Sequence, residues 1–179
     1  MAVGGGAASH GEDLVSGFPP ITVRQPRPYD IVDDPVRIAG VGTGFEGQIA
    51  ARVRDGHGAQ LARASVHAGG TGIWGNYRAA LEVREVPTTE QGTLEVFEVS
   101  AKDGSELHKV VVPITFGTAL LSQYQGFAQY TVVSGDTLSG IAQKHYGDAN
   151  AWPVIFEANR NQIQDPNHIF PGQVLRIPQ

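Results

Sequence analysis

The run YTVVSGDTLSGIAQKHYG, residues 130–147, is the most informative about the structure of the C-terminal part. We interpret residues 130–133 as a short strand and the turn after it as the start of a helix, with Asp136 well placed as the N-cap. Apolar residues recur three and four positions after Leu138, which is the spacing of one helix face. Gly147 is typical of the residue that follows a helix. The stretch therefore predicts a strand followed by an amphipathic helix.

A second helix and a closing strand are predicted downstream. The helix occupies about residues 151–159, with Pro153 in its first turn, where the missing N–H costs little. Trp152 lies on the apolar face of this helix, and we expect its ring to pack into a small core. Residues 174–177 then form a strand. The predicted order is strand, helix, helix, strand.

These features together resemble the LysM family, over residues 130–179. The matching residues are Tyr130-Thr-Val, Ser134-Gly-Asp-Thr-Leu138, Ile141-Ala142, Tyr146-Gly147, Trp152, Ile155, Asn159, Ile163, Pro166, Ile169, Pro171-Gly-Gln173 and Leu175-Arg-Ile-Pro178. The resemblance implies a βααβ fold, with two helices on one side of a two-stranded sheet. It also implies non-catalytic binding of an N-acetylglucosamine polymer, peptidoglycan before chitin.

The resemblance places a ligand groove between the loops 134–138 and 159–172. Backbone groups in these loops would bind sugar amides and hydroxyls, and Leu138, Ile163 and Ile169 would form an apolar floor. For Asn159 two roles stay open, a structural amide at the helix end or a contact to a sugar. The candidate glycan-binding residues are Gly135, Asp136, Thr137, Leu138, Asn159, Ile163, Pro166, Ile169, Pro171 and Gly172.

The N-terminal part has a different periodicity. Between residues 20 and 115 apolar and polar residues alternate, as in residues 48–54, and turn signals separate the alternating runs. The candidate strands are residues 21–24, 36–39, 48–54, 61–66, 77–84, 94–100 and 110–116. About seven short strands without an intervening helix favour an antiparallel immunoglobulin-like β-sandwich. The predicted fold class is therefore a two-domain α+β chain, a β-sandwich followed by a small βααβ domain.

This β-domain resembles Gmad2, the immunoglobulin-like domain of bacterial sporulation- and germination-associated proteins. The resemblance is carried by Ile21-Thr-Val, Pro26, Pro35-Val36, Ala39-Gly40, Phe45-Glu46-Gly47, Val53-Arg-Asp55, Gly92-Thr-Leu94, Val96-Phe-Glu98, Ser100, Asp103-Gly-Ser105 and Val112-Pro113. It implies adhesion or interaction in the cell envelope, without catalysis, and it transfers no functional residues.

The predicted domain limits are 19–117 for the β-sandwich and 130–179 for the LysM domain. Residues 1–18 are interpreted as a flexible tail, either native or a leader or tag, and residues 118–129 as an apolar linker that packs on the domains. The first residues lack the charge and apolar core of a signal peptide. We therefore expect a cytoplasmic or non-classically exported protein, or one associated with the cell wall after trimming of a leader.

Several kinds of chemistry are disfavoured by composition and spacing. A net charge of −5 argues against a nucleic-acid partner, and the absence of cysteine excludes disulfides and thiolate metal sites. The GTGFEG run at residues 42–47 precedes a predicted strand and not the helix that a dinucleotide site needs. His57, His67 and His108 lack metal-ligand spacing. We expect no catalytic residue, metal site, cofactor or membrane span.

Two alternatives to glycan binding stay open. The first is a structural adaptor in a phage-tail-like, contractile or spore-associated assembly, with a protein partner or self-association into a homo-oligomer. The second is a cytosolic ion-responsive protein. It is suggested because the run from Tyr146-Gly-Asp148 to Ile169-Phe-Pro-Gly-Gln173-Val-Leu-Arg-Ile-Pro178 resembles the LysM half of the BON–LysM potassium-binding proteins.

Overall fold

The computed structural model describes residues 19–179, so the predicted tail of residues 1–18 lies outside the described residues. Residues 19–116 form eight strands in two sheets. The strands are β1 (Ile21–Gln25), β2 (Asp30–Val32), β3 (Val36–Gly42), β4 (Gln48–Asp55), β5 (Gln60–His67), β6 (Gly75–Leu81), β7 (Gln91–Val99) and β8 (Glu106–Phe116). The small sheet has the order β1-β3-β6 and the large sheet the order β2-β8-β7-β4-β5.

One apolar core lies between the two sheets and confirms the predicted β-sandwich. The small sheet contributes residues such as Ile38 and Tyr77, and the large sheet residues such as Val53, Leu94 and Ile114. These side chains are almost completely buried because alternate positions of each strand point into the core. All strand pairs are antiparallel except β2 with β8, which run parallel. The sequence did not predict β2, since three residues are too few to display a period.

A glycine in the small sheet permits a close contact within the core. The hydroxyl of Tyr77 donates a hydrogen bond of 2.9 Å to the carbonyl oxygen of Thr22. A Cβ atom at Gly40 would lie 2.0 Å from that same carbonyl oxygen and 2.4 Å from the Tyr77 hydroxyl. Glycine is therefore required at position 40 for β1 and β3 to close over the tyrosine.

The outer face of the large sheet contains an ion-pair network around an arginine. Arg52 donates hydrogen bonds from Nε to Glu95 (2.6 Å) and from Nη2 to Glu106 (2.9 Å). Its guanidinium lies 4.7 Å from the ring centre of Phe97 and covers that ring. The hydrogen bond from Arg52, with one from Lys109, lowers the pKa of Glu106 to about 2. The network explains how a phenylalanine on the outer face is shielded from solvent.

The C-terminal part has the predicted βααβ order. It contains β9 (Phe127–Thr131), α2 (Leu138–Tyr146), α3 (Trp152–Ala158) and β10 (Val174–Pro178), and a single 3₁₀ turn (Ala149–Ala151) precedes α3. The short helix α1 (Gly117–Leu120) falls largely in the stretch predicted as a linker. Strand β9 begins three residues earlier than predicted because Phe127 pairs with Pro178 of β10. The helices and the two strands enclose a second, smaller core.

Side chains of the two parts meet at a junction. Arg176 of β10 donates from Nη2 to the carbonyl oxygen of Tyr29 (3.0 Å), and its Nη1 lies 3.7 Å from a carboxylate oxygen of Asp30. Gln91 of the large sheet donates to the Glu157 carboxylate of α3 (2.9 Å). The β-sandwich and the C-terminal βααβ domain are therefore connected by polar contacts as well as by the chain.

Candidate functional site

The turn between β9 and α2 is built by two neighbouring side chains with different roles. Thr137 is the N-cap of α2, because its hydroxyl accepts a hydrogen bond of 3.0 Å from the N–H of Gly140. Asp136 was predicted as this cap, and that assignment is wrong. Its carboxylate instead accepts hydrogen bonds from the hydroxyl of Tyr130 (2.9 Å) and the N–H of Val133 (2.8 Å). Asp136 therefore fixes the turn, and Thr137 starts the helix.

A groove opens beside this turn, between the start of α2 and the loop that leads to β10. It has a volume of about 360 Å³, at the lower end of the range for small-molecule sites. Its apolar surface comes from Leu138, Trp152 and Ile169. The complete lining is Asp136, Thr137, Leu138, Ser139, Trp152, Pro166, Asn167 and Ile169.

Polar groups without an internal partner border the groove. The backbone N–H groups of Leu138 and Ser139, in the first turn of α2, make no hydrogen bond within residues 19–179. Asn167 donates its N–H (2.9 Å) and its side-chain amide (3.1 Å) to Asp165, which leaves its side-chain carbonyl oxygen without a partner in the same part of the chain. The groove thus offers donors and an acceptor next to an apolar surface.

The predicted site residues divide into groove and scaffold. Asp136, Thr137, Leu138, Pro166 and Ile169 line the groove. The others lie outside its lining, namely Gly135, Asn159, Ile163, Pro171 and Gly172. Of these, Ile163 is only 1% exposed and belongs to the small core, whereas the three turn residues are exposed.

Asn159 is completely buried and does not reach the groove. Its Nδ2 donates to the carbonyl oxygens of Ile155 and Arg176, both at 2.7 Å. Its Oδ1 accepts from the N–H of Arg176 (2.8 Å) and from Gln162 (3.1 Å). With both amide hydrogens and the oxygen engaged, this side chain ties the end of α3 to β10, which agrees with the structural alternative.

Three groove residues, Trp152, Ser139 and Asn167, were not among the predicted binding residues. Trp152 was expected in the core, but it is only half-buried. Its ring packs against the edge of the core, lies 6.2 Å from the ring of Phe156, and lines the groove. Its place as the first residue of α3 explains this, since a side chain there points back over the preceding turn. The Asp-Pro-Asn sequence at residues 165–167, a turn signal, was the available clue to Asn167.

Comparison with known families finds one family in the N-terminal β-sandwich and another in the C-terminal βααβ part. Residues 20–105 match Gmad2, the immunoglobulin-like domain of bacterial spore germination, and residues 130–178 match the LysM domain. The chain thus joins a Gmad2 domain to a LysM domain, as predicted from the sequence. Domains of both kinds are typically binding modules without catalysis.

Curated relatives share about 50 residues with this chain. The potassium binding protein Kbp of Escherichia coli O6:H1 is 58% identical over 50 residues, which are 28% of this chain and 34% of that protein. The N-acetylmuramoyl-L-alanine amidase XlyB of Bacillus subtilis is 46% identical over 52 residues, 29% and 15% of the two chains. The esterase Rv1288 of Mycobacterium tuberculosis is 55% identical over 51 residues, 28% and 11%. The matched segments therefore span about a third or less of these relatives.

In the described part of the chain, no helix is both long and apolar enough to cross a membrane.

Proposed function

We propose that this protein binds an N-acetylglucosamine-containing glycan, peptidoglycan in the first place, through the groove at the start of α2. The backbone N–H groups of Leu138 and Ser139 have no hydrogen-bond partner among residues 19–179 and lie next to an apolar surface, and the proposal rests on this pair. An N-acetylhexosamine presents an amide carbonyl oxygen and a methyl group on the same carbon atom. The two N–H groups can donate to sugar oxygens while the methyl group packs on the apolar surface.

Trp152 gives the groove a second property that suits a sugar. An indole ring offers a broad apolar face for the C–H side of a pyranose, and its N–H can donate to a hydroxyl. The ring is already packed against Phe156, so binding does not have to order it. Trp152 therefore joins Leu138 and Ile169 as the apolar contact of the proposed site.

The site is small, and the chain carries one matched LysM domain. One groove of about 360 Å³ covers a short piece of glycan, so we expect weak binding by a single copy. A polymer with repeated sites raises the observed retention through multivalency when several copies bind or self-associate.

The two tryptophans of the chain allow a direct test of the binding site. Trp152 lines the groove, whereas Trp74 lies in the β-sandwich and its Nε1 donates to the carbonyl oxygen of Pro19 (3.4 Å). Tryptophan fluorescence is measured while an N-acetylglucosamine oligomer is titrated into the wild type, Trp152→Phe and Trp74→Phe. We expect a saturable change in the wild type and in Trp74→Phe, and none in Trp152→Phe.

Retention on insoluble polymers provides an independent readout. We expect the folded wild type to be retained on purified peptidoglycan, and Asn167→Ala to reduce that retention at an unchanged melting temperature. Asn150→Ala is the matched control, because Asn150 is exposed and lies outside the groove. No retention of the folded wild type at low salt, or equal losses in both variants, would refute the proposal.

A second candidate function is a response to potassium, favoured by the 58% identity of about 50 residues to a protein named as potassium-binding. That identity covers 34% of the relative. Binding of an ion by the native state raises its melting temperature. Melting curves in potassium, sodium and calcium chloride at equal ionic strength test this candidate, and identical curves would dismiss it.

A further inference from the structure

The outer face of the small sheet carries a furrow that is separate from the LysM groove. Its floor is the central strand β3, formed by the short side chain of Ala39 and the backbone of Gly40. Its walls come from the two flanking strands, with Arg24 on the side of β1 and Arg78 on the side of β6. The open furrow has a volume of about 1070 Å³.

The strand register explains why long side chains border this floor. Ala39 pairs with Arg78 on one side and with Gln25 on the other. Arg24 is the extra residue where the register of β1 shifts between Val23 and Gln25. An extra residue of this kind changes the direction of its side chain, and here it places a second arginine beside the furrow.

The furrow is strongly basic although the chain has a net charge of −5. Arg24, Arg27 and Arg78 line it, and none of the three forms an ion pair within residues 19–179. Its one acidic side chain is Asp30, which accepts a hydrogen bond of 2.8 Å from the N–H of Arg27 and lies 3.7 Å from the guanidinium of Arg176. Asp30 is thus already compensated, whereas the three furrow arginines have no anionic partner among residues 19–179.

We propose that this furrow binds an extended polymer with repeated phosphate groups, namely a polyol-phosphate chain of the bacterial wall. The location at the wall rests on the proposed glycan binding. The recognition itself rests on the arginines, since guanidinium groups pair with phosphate oxygens in a bidentate manner. A tetrahedral phosphate presents oxygen pairs in several directions, so arginines on both walls can engage one chain.

The shape of the furrow favours a chain over other anions. The arginines are distributed over both walls of a depression of about 1070 Å³. One free phosphate ion is too small to contact all of them at once. A flat lipid surface does not enter a depression whose floor is a sheet strand between two raised walls. A flexible chain can follow β3 and meet successive arginines.

The test is binding to immobilised poly(glycerol phosphate), measured with the full chain. We expect saturable binding that weakens by about tenfold or more between 50 and 200 mM salt, as for other proteins that neutralise several phosphates. The double variant Arg24→Gln/Arg78→Gln should weaken binding at least tenfold. Ala39→Glu, which places a carboxylate on the furrow floor, should do the same without removing an arginine.

The matched control removes two positive charges elsewhere on the same domain. Arg63→Gln/Lys102→Gln changes two exposed residues outside the furrow, on β5 and in the turn after β7, and should alter binding less than twofold. Equal weakening by both double variants would overturn the proposal, because the attraction would then follow net charge alone. Binding to polyglutamate or to phosphatidylglycerol vesicles but not to poly(glycerol phosphate) would also overturn it.

Peptidoglycan stripped of phosphate polymers separates this inference from the proposed function. The furrow variants should bind stripped peptidoglycan as the wild type does, and Trp152→Phe should keep full binding to poly(glycerol phosphate). If the protein binds the phosphate polymer but not stripped peptidoglycan, the proposed glycan binding is refuted and phosphate binding in the furrow is supported. The converse result refutes the furrow alone.

Discussion

Asn159 holds both backbone polar groups of Arg176, with Nδ2 donating to its carbonyl oxygen at 2.7 Å and Oδ1 accepting from its N–H at 2.8 Å. The side chain of this same arginine reaches the β-sandwich at Tyr29. One residue of β10 is therefore fixed from inside the LysM domain and contacts the other domain. The contact between the two domains therefore depends on the folded state of the small domain, which holds Arg176 in place.

Replacement of Asn159 should destabilise the LysM domain. Asn159→Ala leaves buried groups of Arg176 without partners, and each such group costs about 1–3 kcal/mol, so we expect a loss of about 2–4 kcal/mol. Chemical denaturation followed by NMR signals of the LysM domain measures this loss. Asn150→Ala makes the same substitution at an exposed position and should change the free energy of unfolding by less than about 0.5 kcal/mol.

Removal of the junction contacts should loosen the two domains. Burial lowers the pKa of Arg176, and the nearby Asp30 carboxylate opposes that shift. In Arg176→Gln/Gln91→Ala we expect the LysM domain to tumble faster than the β-sandwich in NMR relaxation measurements, whereas the wild-type domains tumble together. Equal correlation times in the double variant would show that α1 and the connecting chain alone keep the domains together.

Gly40 should be intolerant of even a methyl group. A Cβ atom there would lie 2.0 Å from the carbonyl oxygen of Thr22, so Gly40→Ala should destabilise the β-sandwich by about 3 kcal/mol or more. At Gly70 a Cβ atom would have no neighbour within 4 Å, which makes Gly70→Ala the control. Thermal denaturation that shows equal losses for both variants would contradict the packing of β3 over Tyr77.

The ion-pair network of the large sheet predicts a defined dependence on pH. The pKa of Glu106 is lowered from 4.5 to about 2, mainly by its hydrogen bond from Arg52. A carboxyl group with a lowered native pKa contributes stability above pH 4.5 and loses that contribution as the pH falls from 4.5 to about 2. The free energy of unfolding should therefore fall over this interval, and less steeply in Glu106→Gln.

Glu82→Gln is the control for this pH dependence, because Glu82 is exposed and forms no ion pair within residues 19–179. Its profile should match the wild type. If Glu106→Gln has the wild-type slope between pH 4.5 and 2, the network does not contribute the expected stability.

The elements that the sequence predicted well are those with a clear period or a distinctive end. The alternation in residues 48–54 and the apolar spacing from Leu138 to Gly147 correspond closely to β4 and α2. Asp136 and Thr137 were confused because both side chains can cap a helix and only the geometry of the turn distinguishes them. Trp152 was assigned to the core because the apolar spacing of a helix does not reveal which of its apolar residues lies at the edge of the core.

Other features depend on contacts between distant parts of the chain. The furrow unites Arg24 and Arg78, which lie 54 positions apart, through the register of three strands and a one-residue shift in β1. The junction unites Tyr29 with Arg176 across nearly the whole chain. Periodicity does not encode such pairings, since they arise from the packing of complete domains.

Backbone NMR during a titration tests most directly whether glycan binds at the start of α2. With a soluble N-acetylglucosamine tetramer, we expect saturable shifts of the amides of Leu138, Ser139 and Asn167 and of the Trp152 indole N–H. The amides of the β-sandwich should remain unchanged and serve as the internal control. Shifts confined to the β-sandwich, or none at millimolar tetramer while the LysM domain is folded, would contradict glycan binding at the start of α2.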